Sequence, residues 1–313
     1  MRRLFLVPFL LALGASAPAM AQCAEEDTLA EAALELALER ELTGAALTRA
    51  LRTAGSDLPH GWARRFHDRA DAEAWLRQLD ADAPLACGWA ERPGVITVVA
   101  GARAGTLEVE GDSARATVVD GFREAHLVVR DGDDRLHRLA LEQGEASLVD
   151  LERPLVVQLV ATGPRGPRPI AERRSGAPAT PQVAGSGPFS SRLDALRSVR
   201  GASPLRPNRL LTAAANRHAR AICAAGVAAH RLERSDPESR LASEGIEARV
   251  VGEAVARVAP GADALQALVE SPGHAAALTD RRFTDVGVGE ATARGRRCVV
   301  VSLAAWPRFV GRR

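Results

Sequence analysis

The hydrophobic and polar positions change texture several times along the chain. Over residues 24–82 the apolar positions Leu29, Ala32, Ala33, Leu36, Leu38 and Leu42 recur with a period near 3.6, which predicts helices. Ala70 to Leu79 repeats the pattern. From residue 95 short β-branched runs take over: Val95–Val99, Thr106–Val109, Ala114–Val119, His126–Val129 and Leu155–Val160. Gly-Asp, Asp-Gly-Asp and Gln-Gly steps separate them, the pattern of a small β-sandwich. His126 and His137 fall within it and read as surface residues of strands or loops. Residues 163–187 are rich in Gly, Pro, Ala and Ser and read as a linker, with Arg173-Arg174 as solvated charges or a protease-sensitive site on it.

The last part alternates differently. Ser191–Val199 predicts a helix with Leu193, Leu196 and Val199 on one face. A second helix over about 209–225 carries Leu211, Ala215, His218 and Ile222 on one stripe, so His218 reads as a core histidine. Asp236-Pro237 starts a short helix, with Asp as N-cap and Pro at the first position. A further helix over about 262–270 presents Leu265, Leu268 and Val269, and Ser271-Pro272 starts another turn or two with Ser271 as its cap. Phe283–Ala291 and Arg297–Ala304 read as paired strands, the second of them buried. Helices first and strands afterwards predict an α-β-α sandwich with a mostly antiparallel sheet. The fold class is therefore α+β: 1–21 signal peptide, 22–90 helical N-terminal segment, 91–162 β-sandwich, 163–188 linker, and 189–309 the C-terminal sandwich.

The opening residues refine this picture. Met1-Arg2-Arg3, the apolar run Leu4–Leu13 and Ala19-Met20-Ala21 have the form of a cleavable signal peptide, too short to span a membrane comfortably. Gln22 before Cys23 argues against lipidation. A secreted or periplasmic protein without a transmembrane segment in its mature chain is expected. Export allows disulfides. The four cysteines fall as Cys23 and Cys87 in one half and Cys223 and Cys298 in the other, which favours one bridge per half, although three pairings exist and the sequence does not choose. No spacing among them suits structural zinc. Every basic residue is Arg, and Lys plus Arg (41) nearly balance Asp plus Glu (39), with no basic footprint for nucleic acid.

Candidate chemistry concentrates near the end: His230, then Gly252-Glu253-Ala254, then Ser271-Pro272-Gly273-His274, then Arg282-Phe283-Thr284-Asp285-Val286-Gly287-Val288-Gly289. Two imidazoles and a carboxylate are a ligand set for Zn²⁺ with an open water position, or an acid–base pair. No Ser or Cys beside His230 or His274 reads as a nucleophile. His60 and His67 lie among Arg and Asp and read as surface positions.

These motifs, together with Ala202 to Ala219 upstream and Arg240-Leu241 after His230, resemble in order and spacing the CAP superfamily. That group comprises cysteine-rich secretory proteins, antigen 5 and pathogenesis-related 1 proteins, also called SCP domains, and the likeness is to its bacterial branch. The resemblance covers about 187–306. It implies the CAP/SCP fold and a cleft lined by His230, Glu253 and His274. In eukaryotic members two His and two Glu line that cleft, sometimes with a divalent metal, so zinc held by His230, Glu253 and His274 is a candidate cofactor. The chain departs from the pattern at four places. Ala254 stands for the usual Asn, Leu268 for an aromatic, Ala228-Ala229 for Phe-Ser, and Arg282 for the second family histidine. The resemblance implies an envelope or extracellular binding protein whose ligand is a lipid, glycan or peptide. The alternatives are a metal-dependent, protease-like hydrolase and a structural interaction domain, and the balance leans away from an enzyme.

Overall fold

A computed structural model describes residues 23–176, 178, 181–233 and 235–306. The expected signal peptide, 1–21, lies outside the described residues.

The first region combines helices with a sheet. Strands β1 (Ala24–Glu25), β2 (Trp62–Phe66), β3 (Leu85–Arg92) and β4 (Val95–Ala102) are ordered β1-β3-β4-β2. Helices α1 (Asp27–Leu36) and α2 (Gly44–Thr53) cover one face through Leu29, Leu36, Leu47 and Leu51. Helix α3 (Arg69–Gln78) covers the other through Ala72 and Leu76. Helices α1 and α3 lie where the periodicity puts them, but Leu38–Leu42, expected in a helix, is the connection between α1 and α2 with Leu38 exposed, and the region is not helical throughout. Val95–Val99, expected in the sandwich, is the strand that completes this sheet, pairing with both β3 and β2. The reason lies in burial: Val98 and Val99 are enclosed on opposite faces by α3 and by α1–α2.

The β-sandwich follows. Strands β5 (Gly105–Glu110) and β6 (Ser113–Val118) pair with β9 (Glu145–Ser147) in one sheet. Strands β7 (Arg123–Arg130), β8 (Leu136–Ala140), β10 (Leu155–Gly163) and β11 (Gly166–Ser175) form the other, in the order β11-β10-β7-β8. Leu107, Leu127, Leu148, Leu155, Leu159 and Ile170 fill the core. Strand β11 occupies residues expected to be linker. Pro167 and Pro169 disguise it in the sequence, yet a strand at the sheet edge tolerates proline because one side of its backbone has no ladder partner. Arg173 and Arg174 are bound rather than solvated: Arg173 donates from Nε to Leu107 O (2.9 Å), and Arg174 pairs with Glu172 (2.9 Å).

The C-terminal unit is the expected α-β-α sandwich. Helix α4 (Phe189–Val199), the short strand β12 (Arg206–Pro207), α5 (Arg209–Ala225) and α6 (Pro237–Ala242) precede β13 (Val250–Val258). Helices α7 (Ala264–Glu270) and α8 (Pro272–Thr279) and strands β14 (Asp285–Ala293) and β15 (Arg296–Ala305) complete it. The sheet order is β12-β14-β15-β13, so the apolar β15 is central and β13 is an edge. Helix α5 lies on one face. A Cβ at Gly287 or Gly289 would come within 2.2 Å of the α5 backbone, which explains the alternating glycines of β14. Helices α4, α7 and α8 cover the other face. On α4 the inward residue is Arg197 and not Val199, which is 86% exposed. The guanidinium of Arg197 donates to the carbonyls of Ser203, Leu278 and Asp280, so a buried cation serves the turns around it.

Disulfides join Cys23 to Cys87 and Cys223 to Cys298, one in the first region and one in the last. The second ties α5 to β15. Among the described residues no helix is long and apolar enough to cross a membrane.

Candidate functional site

The site grows from four short segments of the C-terminal unit. Asn208 caps α5, accepting hydrogen bonds from the amides of Leu210 and Leu211, and so fixes the buried stripe on which His218 lies. The loop after α5 brings in His230. Asp236 caps α6, accepting from Ser239 N, and the helix presents Arg240. Strand β13 presents Glu253, and the first turn of α8 carries His274.

His218, His230, Arg240 and Glu253 form one closed network. His230 Nδ1 is 3.0 Å from Glu253 Oε1, and Arg240 donates to Glu253 Oε2 at 2.5 Å. His218 Nε2 is 2.8 Å from Ala229 O and 3.7 Å from Glu253 Oε1. Arg240 also donates to the carbonyls of His230 and Ser235, each at 2.9 Å. The Glu253 side chain is only 3% exposed. Burial favours its neutral form, but the hydrogen bond from His230 and the charge of Arg240 outweigh burial and hold its pKa below the ordinary value. The ionised carboxylate accepts from His230, so Nδ1 carries the proton and Nε2 is left as the outward atom of the ring.

His274 stands apart from this network. Its ring centroid is 6.4 Å from that of His230. Burial, with the imidazoles of His230 and His60 beside it, lowers its pKa to about 3, so it is neutral at physiological pH. The expected zinc set does not assemble. Glu253 spends both oxygens inside the protein, one of them on a guanidinium that repels a divalent cation, and no hydrogen bond or ion pair joins it to His274 among the described residues. Among the described residues no group of His, Cys, Asp or Glu is arranged to hold a metal ion. Ser271 also departs from expectation. Its hydroxyl caps no amide of α8 and donates instead to Gln158 Oε1 (3.1 Å), which also accepts from Gly273 N (3.0 Å). The free amide at the start of α8 is thus satisfied by a side chain of the β-sandwich.

Other contacts extend this docking. The turn between β10 and β11 sits on the cleft, and Arg165 O accepts from both His230 N (3.0 Å) and Arg231 N (2.9 Å). Gly166 has φ +94°, and a Cβ there would stand 2.8 Å from His230 Cβ. Arg130 of β7 donates to Glu270 O at 3.2 Å. The roofed cleft contains two cavities that meet at His230. One, of about 710 Å³, is walled by Glu124, His137 and Arg138 of the sandwich and by His230, Glu253 and Arg282 of the last unit. The other, of about 390 Å³, is walled by His60 of the first region, Arg168 and Ile170 of β11, and Leu268, His230 and His274. Arg282, at the position of the missing family histidine, folds back on Asp280 with Nη2 to Oδ2 at 2.6 Å.

His60 is exposed, the surface position that the sequence predicts. Its ring also lines the second cavity, where desolvation lowers its pKa. Nothing local in the sequence signals this, because its neighbours in the site come from far along the chain. Gln158 did carry a signal: it is a lone polar residue inside the apolar run Val156–Val160 and is 2% exposed.

An α-β-α sandwich with a His/Glu cluster at its cleft defines the class of this unit. Residues 191–303 match the family model of the cysteine-rich secretory protein family, CAP, and the C-terminal unit is a CAP domain. No curated protein matches the sequence. Among solved structures, an outer surface protein from Borrelia burgdorferi is similar with a TM-score of 0.35 and 20% identity, over 38% of this chain and 90% of its own. An extracellular protein containing a SCP domain from Bacillus anthracis gives 0.33 and 14%, over 64% of this chain and 67% of its own. A cysteine-rich secretory protein from Staphylococcus aureus gives 0.29 and 10%, over 90% of this chain and 98% of its own.

Proposed function

We propose that this is an exported binding protein of the cell envelope or extracellular space, taking its ligand in the roofed cleft of the CAP domain. The observation that carries the reading is the state of Glu253. Its carboxylate is held by Arg240 and His230, so it orients His230 toward the cavities and is not free as a base or metal ligand. Neither His230 nor His274 is hydrogen-bonded to a Ser or Cys among the described residues, which removes the support for a nucleophilic hydrolase. Cavities of about 710 and 390 Å³ fall in the range of small-ligand sites, roughly 300–1,000 Å³. Two disulfides fit an oxidising compartment outside the cytoplasm.

The test is retention of envelope lipids, glycans and peptides by the full chain, compared with a His230→Ala variant. The reading expects at least one class to be retained and released by the substitution. If no class is retained, the binding reading fails. Stoichiometric zinc binding that His230→Ala abolishes, coupled to hydrolysis, would restore the hydrolase.

A further inference from the structure

The smaller cavity carries an imbalance that the larger protein does not correct. Four charged side chains line it: Asp82, Arg165, Arg168 and Arg257. Arg165 is paired with Asp80 at 2.5 Å, and Arg168 with Asp82. Arg257, on the edge strand β13 opposite Cys298, has no carboxylate partner among the described residues. Its Nε is buried without an acceptor, and the charges that act on it are those of Arg294 and Arg296. A guanidinium whose Nε is buried without an acceptor and whose charged neighbours are other cations gains from an anion that completes it. Beside it the wall offers polar but uncharged groups, the imidazoles of His60 and His274, and apolar ones, Leu268, Ile170 and Trp62.

We propose that this cavity is the binding site for a small amphiphilic anion, a carboxylate or phosphate monoester joined to a compact apolar group. The anionic oxygens meet Arg257 in a charge-assisted hydrogen bond, neutral imidazoles donate to the remaining oxygens, and the apolar body lies against Leu268 and Ile170. The site is composite. His60 comes from the first region, Ile170 from the sandwich, and Leu268, His274 and Arg257 from the CAP domain, so the CAP domain alone does not contain it. The proposal rests on the binding reading above and assigns it a ligand class.

Isothermal titration of the full chain with phenyl phosphate, benzoate, benzyl alcohol and inorganic phosphate, at fixed ionic strength, tests it. Phenyl phosphate and benzoate are expected to bind, and benzyl alcohol about 10-fold or more weaker. Arg257→Met should weaken both anions by about 10-fold or more and leave benzyl alcohol within about twofold. Arg115→Gln, on the sandwich surface, should change nothing. The proposal is overturned if benzyl alcohol binds as well as benzoate, or if Arg257→Met, with its near-ultraviolet dichroism intact, binds the anions as before. Inorganic phosphate binding as tightly as phenyl phosphate would overturn the amphiphilic part. Silence from all four probes overturns the anion assignment, whereas the envelope-ligand screen decides the binding reading separately.

Discussion

Two clusters lie side by side in this molecule and draw on the same residue types, with opposite outcomes. Around Glu253, two imidazoles and a guanidinium close on one carboxylate, and both of its oxygens are used. Around the smaller cavity, imidazoles and guanidiniums converge with too few carboxylates, and Arg257 is left over. A closed network stabilises a fold and is expensive to disturb. An open one keeps unsatisfied polarity for something the chain does not supply. The carboxylate that looks most like chemistry in the sequence is therefore spent inside the protein, and the cation left over beside it carries the proposed site.

The largest expected effect comes from breaking the closed cluster. Glu253→Ala leaves Arg240 buried without its carboxylate, and removing one partner of a buried pair costs about 3–5 kcal/mol. Urea unfolding measures it. Next is the roof. Gly166→Ala meets His230 and forces an alanine to φ +94°, which should cost about 1–3 kcal/mol and loosen the turn from the cleft. Hydrogen exchange at the amides of His230 and Arg231, both bonded to Arg165 O, should speed up.

A smaller effect separates the clusters by pH. An unfolded imidazole titrates near 6.5. In the fold His274 titrates at about 3, and desolvation holds His60 and His218 below 6.5 as well. Between those values the unfolded chain binds more protons, so stability falls as the pH drops from about 6.5 towards 3. His274→Gln should flatten that dependence by at most about 1.4 kcal/mol per pH unit. An unchanged slope would place His274 in water rather than in the cavity wall.

Much of this was legible in the sequence, and the rest was not for identifiable reasons. The C-terminal unit was, because α5 keeps its stripe through Leu211, Ala215 and Ile222, β15 is continuously apolar, and Asp236-Pro237 marks a helix start without ambiguity. The sheet of the first region was hidden because its strands are short or run directly into the sandwich. Strand β11 was hidden by prolines that only its edge position permits. The pairing of His230 with Glu253 follows from motif order. The isolation of His274 from Glu253 depends on how α8 docks against Gln158, a contact across 115 residues to Gly273 that local patterning does not contain. His60 reaches the cleft only through the packing of three regions.

The contrast itself is tested most directly by comparing Glu253→Ala with Arg257→Met in one urea series followed by near-ultraviolet dichroism. Glu253→Ala should lose about 3–5 kcal/mol, whereas Arg257→Met, which removes an unpaired cation, should stay within about 0.5 kcal/mol of the parent or gain stability. Equal losses from the two substitutions, or a loss from Glu253→Ala below about 1 kcal/mol, would contradict the account.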